Sequence, residues 1–289
     1  SGSGWSWGDL RKMNTLLGYI NNCEDEGAIV EYTALTKFFR TFFYYEKVKR
    51  FGDVPWIDTE LGSADPALWN PRDNREVIMQ HMLEDINYAI ENLPEPTSQF
   101  RVNKYTALAL KAQFCLFEGT FRKYHEGQST LKTLPADAAS ADFYLQEAAN
   151  AAKAIMDSGK YSLYSTGKPN QDYRDLFVQE NCEGIKEFIF AIKFDYGLAI
   201  FHNGTAYGLL PSQGRIGATR KFIDSYLMKD GSRFTAIPGY DKMQFAEQVA
   251  NRDPRLAQSF RTPGYTRIDG TDILAPDLSS SCTGYQTIK

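Results

Sequence analysis

The chain has 289 residues, of which 43% are hydrophobic and 24% charged. That profile excludes disordered and fibrous classes, and the length allows one large domain or two ordinary ones, each able to bury a core without disulfide or metal staples. With 32 Lys and Arg against 36 Asp and Glu the formal charge is −4, so no cationic excess points to nucleic acid as a partner.

The first 160 residues read as helices. In Glu31–Arg50 the apolar positions Leu35, Phe38, Phe42 and Tyr45 step by 3, 4 and 3, with Lys37, Arg40, Glu46 and Lys47 elsewhere on the wheel, and Gly52 and Pro55 end the pattern. Asp73 is the expected cap of a second helix, Asn74–Leu93, which keeps a 4, 4, 3, 4 spacing of Ile78, Met82, Ile86, Ala89 and Leu93 before Pro94 stops it. A third helix is expected over about Lys104–Tyr124 and a fourth over about Asp142–Ser158, closed by Gly159. Ala107, Ala109 and Ala112 in the third and Ala148, Ala149, Ala151, Ala152 and Ala154 in the fourth are small residues where helices approach closely, a pattern of tetratricopeptide-type pairing.

After Gly159 the texture changes. Glu187–Phe194 reads as a short strand by composition, followed by a Gly- and aromatic-rich loop over Asp195–Gly217 and one more helix at about Thr219–Met228. The remainder is rich in Pro, Gly, Asp and Thr, and no clean linker separates it from what precedes. The expectation is one domain over 1–289, with a helical layer at about 1–160 and a loop-rich layer containing a few short strands at about 161–289.

No stretch reaches the roughly 18 apolar residues of a membrane helix, and the start at Ser1, without an initiator Met or a basic-then-apolar leader, gives no compartment. Cys23, Cys115, Cys182 and Cys282 form no CxxC pair; buried thiols or one long-range disulfide are the two readings they leave open. Phosphate-loop, dinucleotide, zinc-protease and nucleophile-elbow signatures are absent, and the three histidines are isolated in sequence, so no catalytic residue, cofactor or metal ligand is nominated. His81 reads as a packing residue and His125 as a cation at a helix end. The acidic run Cys23–Glu26 reads as a solvated turn.

Aromatics are abundant, with 17 Tyr, 19 Phe and 4 Trp. Trp5, Trp7 and Trp69 sit in polar surroundings, and Tyr196, Phe201, His202, Asn203 and Tyr207 share one loop; flat rings with neighbouring donors and acceptors suit a sugar face or another planar ligand. These eight residues are the candidate ligand contacts.

Lys37-Phe-Phe-Arg-Thr-Phe-Phe-Tyr-Tyr-Glu-Lys-Val-Lys-Arg-Phe-Gly-Asp-Val-Pro55 closely resembles the signature helix and turn of the SusD/RagB family of surface glycan-binding lipoproteins. Further blocks follow in the family's order: Asn70-Pro-Arg-Asp73, Ala89-Ile-Glu-Asn-Leu-Pro94, Ala107-Leu-Ala-Leu-Lys-Ala112 with Phe117–Thr120 and Lys123–His125, Tyr226-Leu-Met-Lys-Asp-Gly231, Arg252-Asp-Pro-Arg-Leu256 and Thr283-Gly-Tyr285. Trp56 departs from the aliphatic residue usual after the Val-Pro turn. The family's chains are much longer, so this sequence resembles an interior portion, with the lipid-anchor Cys and leader before it and a last helical repeat after it.

The resemblance implies a tetratricopeptide-like helical scaffold packed with an irregular layer. It also implies capture of an oligosaccharide at the outer-membrane surface, without bond cleavage, and delivery to a SusC-type TonB-dependent transporter, with a lipid anchor holding the protein to the membrane. The alternatives are a peptide ligand with the same partner, a tetratricopeptide protein-interaction scaffold, and a glycoside hydrolase drawing on the abundant acids.

Overall fold

The computed structural model describes residues 4–127, 134–204 and 214–288. The chain divides into two compact units, the first comprising Ser1–Ser162 and Lys186–Ala191, the second Leu163–Ile185 and Ile192–Lys289.

The first unit is built from α1 (Gly8–Tyr19), α2 (Glu26–Phe51), α3 (Arg75–Asn92), α4 (Lys104–Tyr124) and α5 (Ala141–Asp157). Each packs on the next in chain order, the tetratricopeptide-like arrangement that the small residues predict. Caps set the boundaries. Asp25 accepts from the Ala28 amide, Asn103 and Thr106 form a reciprocal capping box, and Ser140 accepts from the Phe143 amide. Asn74 rather than Asp73 caps α3, accepting from the Glu76 amide; Asp73 instead takes the Trp56 amide at 2.7 Å and so ties down the turn after α2. That turn leaves the helix through Gly52 at φ +71, where only glycine escapes the Cβ clash.

The stripe expected on α2 is displaced. Ala34, Phe38, Thr41, Tyr44 and Val48 are buried, Leu35 and Tyr45 are half-buried, and Phe42 is exposed. Arg40 and Lys47, expected on the solvent face, are buried. Asp85 of α3 explains the first: Arg40 clamps it with bonds of 2.6 and 2.9 Å, and Lys37 reaches the same carboxylate at 2.5 Å. The carbonyl oxygen of Gly4 accepts from the Lys47 ammonium. Trp56, the departure from the family pattern, lies 4.4 Å from Tyr44 and stacks on His81 at 4.4 Å, with the Arg40 guanidinium 5.0 Å from its ring.

Between α3, α4 and α5 lies a buried charge network. Glu118 accepts from Arg75 and Arg122, and Arg122 also meets Glu76; all four are at most 5% exposed. Tyr144 faces the Arg122 guanidinium at 4.5 Å, and burial pushes its hydroxyl pKa far above the usual range. Gly119 lets α4 and α5 approach: a Cβ there would lie 2.7 Å from Leu145 and 3.0 Å from the Ala141 carbonyl. Of the small residues, Ala107, Ala148 and Ala151 are buried, whereas Ala149 and Ala154 face solvent.

In the second unit, helices are short: Asp172–Phe177, Arg220–Ser225, Phe245–Val249 and Pro254–Ala257. The helix at Thr219–Met228 is thus shorter than expected, with Thr219 as its cap and Tyr226 already extended. Ile223, Leu256 and Phe260 form a small core. The strand expected at Glu187–Phe194 is turns and bends, and among the described residues the short strands reduce to isolated bridges such as Asp195 with Ile200 and Phe260 with Thr287. Among the described residues its Phe/Ile run finds no partner ladder; the Gln99 carbonyl accepts from the Ala191 amide at 2.9 Å, and the Gln99 side-chain amide donates to the Phe188 carbonyl at 3.2 Å.

Candidate functional site

A cleft runs along α1 against the segment that follows the α2 turn. One part, about 300 Å³, is walled by Trp7, Leu10, Ile57 and Leu68; the other, about 580 Å³, reaches Tyr19 and Asp58. Both share Arg11, Asn14 and Thr59. Asn14 is 2% exposed and donates from Nδ2 to the carbonyls of Ile57 at 2.9 Å and Thr59 at 3.1 Å. Those bonds fix its amide orientation and leave Oδ1, a buried acceptor, with no donor among the described residues. On the rim Arg11 holds Glu60 at 3.0 Å, and hydrogen bonds from Thr15 and Arg11 keep that carboxyl below the ordinary carboxylate range. The arrangement offers an apolar wall, an exposed ring at Tyr19 and a charged rim. That combination suits a small polar ligand with apolar faces.

The structure separates the expected contacts. Trp7 is half-buried and forms part of the cleft, with its ring 5.0 Å from Trp5 edge-on. Trp5 is 39% exposed, packed 4.8 Å from Phe51 and under the Arg72 guanidinium at 4.9 Å. Trp69 closes the turn Pro66–Trp69 and is 89% exposed, the residue after the cleft's Leu68, in no ring pair with Trp5 or Trp7. In the second unit Asp195 and Ile200 pair through two backbone bonds of 2.8 and 2.9 Å, and the turn between them presents Tyr196 to solvent. Its ring is 6.1 Å from that of exposed Phe201; His202 packs edge-on to Phe194 at 4.6 Å and accepts from the Gly204 amide, and Asn203 is exposed. Ala199 closes that turn at φ +56, a left-handed conformation unusual for alanine. Tyr207 lies outside the described residues.

Sequence reasoning missed Asn14 and Tyr19. The signal was available: an Asn in mid-helix competes with the backbone for hydrogen bonds and is out of place unless it has a task. The remaining polar candidates behave structurally. His81 stacks on Trp56, His125 donates to the Phe121 carbonyl at the end of α4, and Asp25 of the acidic run serves as a helix cap. The four cysteines are free; only Cys115 is fully buried, while Cys23 and Cys282 are exposed, so neither the general burial nor the long-range disulfide expected of them holds.

The first unit is thus a layer of paired helices with an aromatic-walled cleft, and the loop-rich second unit presents exposed rings. Residues 186–275 match the model of the SusD family. A SusD-like protein of Formosa agariphila, P2, is 27% identical over 178 residues, covering 61% of this chain and 30% of its own length. A SusD-like protein of Bacteroides fragilis superposes with a TM-score of 0.71 at 21% identity over 96% of this chain and 54% of that one. A SusD-like carbohydrate binding protein of the same species gives 0.70 at 19% identity, over 96% and 52%. The chain is thus similar to SusD-like proteins in sequence over part of its length and in fold over nearly all of it, and it spans about a third of the length of the curated relative and half that of the solved structures. The segment Lys37–Pro55, which resembles the family's signature helix and turn, lies outside the matched 186–275.

Proposed function

We propose that this chain is the oligosaccharide-capturing part of a cell-surface protein that passes its ligand to a SusC-type TonB-dependent outer-membrane transporter. The observation that carries the reading is the α1 cleft, where the Trp7 ring in the wall and the exposed Tyr19 ring suit the CH face of a pyranose and Arg11 on the rim suits its hydroxyls. The exposed pair Tyr196 and Phe201 supplies a second platform of the same chemistry. The name of the carbohydrate-binding relative supports it further. In this reading the protein binds without cleaving, lies at the outer-membrane surface and is held by a lipid anchor; no helix among the described residues is long and apolar enough to cross a membrane. The helical and loop-rich parts belong to one functional domain.

Affinity electrophoresis against neutral plant, host and microbial polysaccharides tests the proposal. Retardation by at least one is expected, weakened about tenfold by Tyr19→Ala or Trp69→Ala, because each removes an exposed ring and disturbs no core. Replacing Tyr196, Phe201 and Tyr207 together by Ala is expected to lower binding at an unchanged melting temperature; unaltered retardation removes that loop from the site. No retardation by any glycan, neutral or acidic, sinks the reading, and release of reducing ends from a retarding polysaccharide refutes binding without cleavage.

A further inference from the structure

The second unit holds a cavity of about 630 Å³ between the helix Arg220–Ser225, the tight turn closed by Leu227 and Arg233, and Tyr240. Its charge is opposite in sign to that of the whole chain. Arg220, Lys221 and Arg233 line it against a single carboxylate, Asp224, whereas the sequence carries a formal −4. Asp224 is already engaged: Arg220 donates to it at 3.1 Å and to the Tyr240 carbonyl at 2.9 Å. Lys221 and Arg233 are exposed and, among the described residues, neither has a side-chain hydrogen bond or ion pair. Two cations therefore face the cavity with their donors unspent. The half-buried ring of Tyr240 and the exposed side chain of Leu227 add an apolar face, and Thr235 a hydroxyl.

The frame around these cations is fixed. Arg252 ties the Ile223 and Tyr226 carbonyls at 2.8 and 2.7 Å, and the turn is closed by the Met228 amide on the Ser232 carbonyl at 2.8 Å and by Asp230 accepting from the Ser232 amide at 2.9 Å. Phe234, next to Arg233, is 1% exposed and anchors the wall. A guanidinium fork with a nearby ammonium matches the planar oxygens of a carboxylate or the oxygens of a sulfate, and such charge-assisted bonds are about twice as strong as neutral ones.

We propose that this cavity binds the anionic group of an acidic saccharide, either a uronate carboxylate or a sulfate ester, with Arg233 and Lys221 as its cationic contacts and the Tyr240 and Leu227 wall against the sugar ring. The proposal rests on the glycan-binding reading and adds a charge class to it.

The test is affinity electrophoresis in gels containing polygalacturonate, a sulfated galactan, or a neutral galactan. Arg233→Gln and Lys221→Gln are compared with Lys229→Gln, an exposed lysine outside the cavity. Retardation by polygalacturonate or the sulfated galactan is expected, weakened about tenfold or more by either cavity variant and unchanged by Lys229→Gln. Which acidic gel retards the protein distinguishes carboxylate from sulfate. Raising salt should weaken acidic but not neutral retention. Acidic retention that survives both cavity variants, or that Lys229→Gln weakens equally, overturns the proposal. Retardation by the neutral galactan alone, or by none of the three gels, overturns it; the broader reading falls only if the full polysaccharide panel also fails to retard the chain.

Discussion

The two units bury charge in opposite ways. In the first, Arg75 and Arg122 meet Glu118 and Glu76 carried on other turns and helices. In the second, buried Arg252 meets no carboxylate among the described residues; its guanidinium donates to the carbonyls of Gln248, Ile223 and Tyr226 and lies 3.9 Å from the Phe234 ring. Acidity follows the partners. Burial alone disfavours the charge on Arg122, yet Glu118 and Tyr144 outweigh it and raise its pKa, whereas Arg252 is lowered by burial with only weak compensation. The cause is the backbone. Long helices satisfy most of their own carbonyls, so Arg75 and Arg122, buried between them, meet anions; the ends of short helices and irregular chain leave carbonyls open to a buried cation or amide, as at Arg252 and, in the first unit, at Lys47 on the Gly4 carbonyl. Gln258, which donates to the Pro169 carbonyl at 2.9 Å and accepts from the Arg174 amide at 3.0 Å, repeats the solution, as does Gln286 at the Asp277 amide.

This contrast is breakable. Glu118→Gln leaves two buried arginines short of a countercharge and is expected to destabilise the first unit by about 3–5 kcal/mol, measured by denaturant titration. A loss below about 1 kcal/mol would mean that Arg75 and Arg122 find other partners. Arg252→Met should cost about 2–3 kcal/mol, through carbonyls losing a charged donor, and should lower only the transition of the second unit. If the two units unfold together in calorimetry, the difference in design has no thermodynamic independence behind it. The smallest effect concerns Asp277, whose carboxyl accepts from Ser279 and Ser280 and is held at about 2, below the usual 3.8. A depressed acid stabilises the fold above pH 3.8, and that contribution disappears as pH falls through about 2. Carbon-detected NMR titration should show this midpoint, and Asp277→Asn should flatten the acid limb of the melting curve; a midpoint near 3.8 would dissolve the turn network.

Helical periodicity made α2 to α5 readable because Gly52, Pro94 and Gly159 punctuate runs of 3- and 4-residue spacing. It failed for α1, where Arg11, Lys12, Asn14 and Gly18 break any stripe and the helix buries only Leu10 and Asn14. Alternating Phe and Ile at 187–194 announces a strand only if a partner exists, and pairing is not local information. The exposed rings at Trp69 and Tyr196 were legible as residues in polar surroundings. Asn14 was legible only as an Asn out of place in mid-helix; that its amide ties the Ile57 and Thr59 carbonyls is a property of three-dimensional neighbours.

The free cysteines give the molecule a built-in chemical asymmetry. Cys115 is buried, and burial pushes its thiol up to about 12, which keeps it protonated and inert at neutral pH. Cys23 in the first unit and Cys282 in the second are exposed, so once the half-exposed Cys182 is replaced by Ser the native chain offers one maleimide-reactive sulfur per unit. A donor and acceptor dye placed there would report, without further mutation, whether saccharide binding shifts one unit against the other.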